Sequence, residues 1–339
     1  MLKKLILKLF VVVLPVIALF FVHMYMIVSF AEKLSDNMVN GKLSYVLPNY
    51  NGRRVERKII EKQMKVPETL FLGTSPILEL GPEVTGYDDQ LVLCPGTGFF
   101  VDWLGILGLY KKQGRGFPKR VVWEPTAIAI VRKGSLGYLA HGHIFKDTYA
   151  YFYDMQGIEK WRWYLEQIIG TVKESCQFTN LFQGTYAYKI YERKEDAFHP
   201  ELITTVFPDG HSRRSSSYDE HIFIPAAPGS SDLYYDPDYY PEKMSQYFND
   251  LKGFCTANGI EFVVLLPPVS PSFISDYNTT HASDNLSVES VENYIRQLAG
   301  DCLVRGSFSP YDLNLTNADF IDEAHVRRDK LKQMWDYIK

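Results

Sequence analysis

Four short apolar runs constrain this chain most: Thr69 to Leu72, Gln90 to Cys94, Arg120 to Trp123 and Glu261 to Leu266. Each opens on a polar residue and is apolar to its end, the pattern of a strand buried on both faces. Helical spacing fills the gaps. Phe99 to Tyr110 lies between the second and third runs, and Pro241 to Asn258, closed by Gly259, precedes the fourth. A helix over residues 287 to 299, closed by Gly300, leads to a last short strand, Cys302 to Val304, and Ala324 to Ile338 reads as the final helix. Strands alternating with helices imply an α/β fold, a mostly parallel sheet covered on both faces. Five strands fit the flavodoxin-like, doubly wound order, in which sites form at the carboxyl ends of the strands.

A chain of 339 residues, 46% hydrophobic and 14% aromatic, buries a full core, which excludes disorder. Net charge is −4, and no polybasic run follows the first eight residues, so nucleic acid is not an expected partner. The four cysteines (Cys94, Cys176, Cys255, Cys302) have no metal-like spacing, and His141-Gly142-His143 lacks a third ligand at sensible spacing. Neither a metal nor a cofactor is expected. Cys94 falls in a strand and reads as a small core residue.

Leu9 to Phe30 is one apolar run broken only by Pro15, His23 and Ser29. About 20 residues cross a bilayer. Lys3, Lys4 and Lys8 precede the run, which places the N-terminus in the cytoplasm and the body outside it. A cleaved signal ending near Ser29-Phe30-Ala31 is the alternative, but a cleavable apolar core is usually about 7–15 residues. The expected organisation is a cytoplasmic N-terminus (1–8), a single-pass anchor in the cell membrane (9–30), a stalk or approach segment (31–66) and an extracytoplasmic domain (67–339). The 31–66 segment is rich in Arg and Lys and reads as a solvated linker. Residues 130–240 interrupt the α/β rhythm as an insertion that either walls a pocket or is a structural elaboration. It holds one amphipathic helix, Ile158 to Val172.

Chemistry enters at the two ends of the domain. Leu70-Phe71-Leu72-Gly73-Thr74-Ser75-Pro76 is a strand running into a sharp turn that presents a serine. Pro76 favours a first helical position, which makes Ser75 the expected helix N-cap. Acyl transfer needs a nucleophile, a base, a group that orients the base, and donors for the oxyanion. His325 is the best base among eight histidines, and Asp322, three residues earlier, can reach back to its Nδ1. Asp319 and Glu323 are rivals for that orienting role.

The order Ser, then Asp, then His resembles the SGNH/GDSL hydrolase superfamily. "LFLGTSPILEL" is similar to its first block, "LVLCPGTGFFVDWL" to its second and "DFIDEAHVR" to its fifth. The resemblance implies Ser75 as nucleophile, His325 as base, Asp322 as its acidic partner, and Gly96 as an oxyanion donor with Gly98 as rival. It adds Thr74 as a substrate-facing residue. One block departs. Where the family supplies an oxyanion Asn, this chain reads Trp123-Glu124-Pro125-Thr126, with no Asn from Gly52 through Thr179. Gly-Thr-Ser in place of Gly-Asp-Ser, with one N-terminal span, looks closer to membrane-tethered envelope O-acyltransferases of the alginate O-acetyl and teichoic-acid D-alanyl types. The implied function is acyl transfer or ester hydrolysis on an acylated envelope glycan or glycolipid, with a membrane acyl-donor protein as a further partner. The competing expectation is a non-catalytic module of the same fold that binds glycan or scaffolds an envelope assembly.

Overall fold

A computed structural model describes residues 2–47, 52–94, 100–125, 142–175, 188–214, 223, 242–284 and 287–338. The chain begins with α1 (Leu2–Val39), β1 (Ser44–Val46), α2 (Gly52–Lys62), β2 (Thr69–Leu72), α3 (Pro82–Thr85), β3 (Gln90–Leu93), α4 (Phe100–Gln113) and β4 (Arg120–Trp123). The insertion contributes α5 (Lys146–Phe152), α6 (Gly157–Ser175), β5 (Ile190–Tyr191), β6 (Thr204–Val206) and β7 (Ser212–Arg213). Then follow α7 (Glu242–Ala257), β8 (Glu261–Leu266), α8 (Pro271–Thr280), α9 (Val288–Ala299), β9 (Leu303–Gly306) and α10 (Arg328–Ile338).

The main sheet runs β3-β2-β4-β8-β9 with every pairing parallel. Counted in chain order within that sheet the strands lie 2-1-3-4-5, the doubly wound arrangement that puts helices on both faces. Alternate residues serve opposite layers, as the strand period of two requires. Leu70, Leu72, Leu91, Leu93, Val121, Trp123, Val264 and Leu266 face a core shared with α1, α2, α4, α7 and α9. Phe71, Val92, Val122, Val263 and Leu265 face a smaller core closed by Leu331, Met334 and Trp335 of α10. The apolar runs are continuous because both layers are dry.

A second sheet is antiparallel, in the order β5-β1-β6-β7. The β6–β7 turn packs on the main sheet, where Val92 N–H donates to Asp209 O at 2.7 Å and Ser212 N–H to Leu78 O at 2.7 Å. Gly210 makes that approach possible. Its φ is +86°, and a Cβ there would be driven into the Val92 carbonyl.

The solvated-linker reading of residues 31–66 is corrected. Ala31, Leu34, Met38, Val46, Val55, Ile59 and Ile60 are all buried in the body. The basic residues that suggested solvent find acids far away in sequence. Arg53 donates to both oxygens of Asp102 (3.0 and 2.9 Å), Arg57 to both of Asp147 (2.6 and 3.0 Å), and Lys62 reaches Asp36 at 2.8 Å. α1 is one helix that outruns the expected span, and from Val13 to Val39 it is long and apolar enough to cross a membrane.

Candidate active site

The chain leaves β2 through Gly73-Thr74 into a single 3-10 turn, Ser75–Ile77. Thr74 holds the cap position and Ser75 is the first residue of the turn, which corrects the expectation of Ser75 as a helix cap. A turn of three residues carries little dipole, so no long-helix dipole acts on this serine. Ser75 is half-buried, and among the described residues its hydroxyl makes no hydrogen bond.

Thr74 is buried. Its amide N–H donates to Glu124 Oε2 at 2.7 Å and its hydroxyl donates to the same oxygen at 2.9 Å. Thr74, expected to face substrate, commits both of these donors to a buried carboxylate. Glu124 sits at the carboxyl end of β4, beside the β2 end, because Leu72 pairs with Trp123 and Glu124 N–H donates to Leu72 O at 2.8 Å. Glycine at 73 admits this side chain, since a Cβ there would lie 2.7 Å from Glu124 Cβ. Glu124 thus fixes the turn that carries Ser75.

Asp322 and His325 lie in the loop before α10, which starts at Arg328 and not at Ala324 as the sequence suggested. The Asp322 side chain explains the late start. Its Oδ1 accepts the amides of Ala324 and His325, both at 3.0 Å, which folds the loop back on itself, and Phe320 bridges to Val326. The same carboxylate meets His325 Nδ1 at 2.6 and 2.7 Å. Burial opposes its charge, but the hydrogen bond from His325, the Ala324 amide and the nearby charge of Arg214 outweigh that and hold Asp322 at about 2, against an ordinary 3.8. The rival Asp319 instead accepts from Thr316 and pairs with Lys330 at 3.4 Å.

On the other side of the ring, His325 Nε2 faces Arg214 Nη2 at 3.0 Å. A guanidinium only donates, so Nε2 is the acceptor and the proton sits on Nδ1, facing Asp322. A general base needs this tautomer. Ser75 and His325 share no hydrogen bond.

The two halves are nonetheless tied together. Ser270 N–H, just beyond the carboxyl end of β8, donates to Glu323 O at 2.8 Å, and this hangs the histidine loop on the strand-end rim where Ser75 also lies. Glu79, four residues after Ser75, accepts from Arg328 Nε at 3.3 Å and from Arg214 N–H at 3.5 Å, and Arg328 Nη2 donates to Arg214 O at 3.1 Å. Gly96 and its rival Gly98, like His141 of the His-Gly-His run, lie outside the described residues. The described residues contain no cluster of His, Cys, Asp or Glu suited to a metal.

No protein-family model and no curated protein matches this chain.

Two residues of this site escaped sequence reasoning. Arg214 comes from the insertion, 111 residues before His325, and nothing in its local pattern marks it. Glu124 carried a usable signal. It is the polar residue directly after an apolar strand, at the carboxyl edge where α/β sites form.

Proposed function

We propose that this protein is a membrane-anchored serine enzyme of SGNH type, its body outside the cytoplasm, which transfers or removes a small acyl group on an envelope glycan or glycolipid. The observation that carries this reading is the Asp322 carboxylate clasping His325 Nδ1 at 2.6 and 2.7 Å, on the strand-end rim that also holds the Ser75 turn. In the proposed cycle Arg214 withdraws from Nε2 and Ser75 takes its place. The Ser75 oxygen attacks the acyl carbonyl while His325 Nε2 removes its proton, and Asp322 stabilises the imidazolium. The tetrahedral intermediate collapses as His325 returns the proton to the leaving oxygen, which leaves an acyl-serine. A sugar hydroxyl or water then attacks that ester while His325 takes its proton, and as the acyl–serine bond breaks His325 passes the proton to Ser75 Oγ. Ser75 N–H and Gly96 N–H are the proposed oxyanion donors.

The test is turnover of a small aryl acetate by the purified full-length protein. Ser75→Ala and His325→Ala should each remove nearly all turnover, and the double variant should be little worse, because the residues act as one unit. Full turnover by a folded Ser75→Ala protein would refute the assignment.

A second reading has its own support. Arg214 on Nε2 and Glu124 at the place of the family's oxyanion Asn both favour a non-catalytic module that binds glycan or scaffolds an envelope assembly. That module would bind an acylated oligosaccharide equally well with Ser75→Ala.

A further inference from the structure

Helix α6 presents two unlike faces. One packs inward: Trp163 lies 4.6 Å from the Tyr149 ring, Gln167 donates to Ile144 O at 3.2 Å, and Gly170 is buried. The other is a stripe of Ile158, Trp161, Leu165, Ile168 and Ile169, spaced as one helix face, with exposures of 86, 68, 56, 58 and 52%. Five in one row make a contiguous patch of the kind that marks an interaction surface.

The neighbour of α6 indicates what covers it. α6 packs against α1, and α1 changes character along its length. From His23 onward one side of α1 is buried in the body, at His23, Ile27, Phe30, Ala31, Leu34 and Met38. Before His23 the described side chains are apolar, with Phe20 half-buried and Val13, Leu14, Ile17, Leu19, Phe21 and Val22 exposed. At 1.5 Å per residue a bilayer core of about 30 Å, entered at Leu9 just past Lys3, Lys4 and Lys8, ends near Val28, on the first turns of α1 that the body covers. A bilayer around that part of α1 brings its surface to the level where the body begins. An apolar helix face beside α1, with a tryptophan in it, matches the composition of the lipid–water interface.

We propose that the exposed stripe of α6 docks in the outer lipid–water interface beside α1, a second attachment that fixes the tilt of the catalytic body against the membrane. This rests on the reading of α1 as a membrane span.

The experiment reconstitutes the full-length protein into phosphatidylcholine vesicles containing lipids brominated near the headgroup end of the acyl chains. Tryptophan quenching is compared between wild type and Trp161→Phe, and vesicle flotation is measured in parallel. The proposal predicts that wild type floats and is quenched, and that Trp161→Phe floats but loses most of the quenched signal. Leu165→Glu/Ile168→Glu should still float through α1 while Trp161 escapes the bromolipid. A wild type that floats without quenching of Trp161 overturns the docking and leaves the anchor intact. If Trp161 is then also shielded from iodide, protein covers the stripe, either a second copy or another segment of this chain. A wild type that does not float overturns the span and the docking together.

Discussion

Arg214 and His325 meet nitrogen to nitrogen at 3.0 Å, the guanidinium donating to the imidazole lone pair that a base would use. The insertion therefore takes part in the site: the β6–β7 hairpin, seated on β3 through Gly210, delivers Arg214 there. Asp322 holds the tautomer from one side, and Arg214 occupies the working nitrogen from the other. In the proposed cycle, acyl transfer requires Arg214 to move off Nε2.

Arg214→Ala should open it. For a small neutral aryl acetate the expected outcome is a several-fold faster acylation of Ser75, because Nε2 is available without displacing a cation. Stopped-flow release of the aryl group reads this directly. Acylation that instead falls tenfold or more would make Arg214 a positioning residue that the reaction needs in place.

Glu124→Ala should destabilise the protein. It strips the buried Thr74 amide and hydroxyl of a shared acceptor, and an unsatisfied buried donor costs about 1–3 kcal/mol. Glu124→Gln keeps an acceptor oxygen and should recover much of that loss. Urea midpoints of the two variants against wild type give the comparison, and equal midpoints for Ala and wild type would remove Glu124 from its proposed pinning role.

Glu56 predicts a pH effect away from the site. Burial pushes its carboxyl up to about 8, offset in part by Arg53 and the Cys94 amide and reinforced by Asp102. The folded protein then keeps a proton that the unfolded chain, with an ordinary value near 4.5, has released. Stability is fully present below about 4.5 and declines as pH rises toward 8, by an amount on the order of a few kcal/mol. Glu56→Gln carries no proton to lose, so its urea midpoint should stay flatter between pH 5 and pH 8. A wild-type midpoint that does not fall over that window would contradict the assignment.

Much of the sheet was legible because its signal is local. "TLFL", "QLVL", "RVVW" and "EFVVLL" are dry on both faces, and each became the strand expected of it. The second sheet was not legible. β1, β5, β6 and β7 are two or three residues each, and their partners lie up to about 160 residues apart, so no window of sequence contains the pattern. The 31–66 segment misled for a related reason, since Arg53 and Arg57 look solvated until Asp102 and Asp147 are brought to them. At the site, Asp322 and His325 were readable from a spacing of three residues. Their contact came with a different backbone, because the Asp322 carboxylate takes amides that a helix start would otherwise use. Ser75 was readable as a turn residue following a strand, whereas the cap position went to Thr74.

In the proposed enzyme Ser75 is a nucleophile worked by His325. The most direct measurement is intact-protein and peptide mass spectrometry after treatment with a serine-directed fluorophosphonate. One adduct is expected on the peptide containing Ser75 in the wild type, and almost none in His325→Ala at the same probe concentration and time. A folded wild type that forms no adduct at Ser75, or one that His325→Ala forms equally fast, would contradict it.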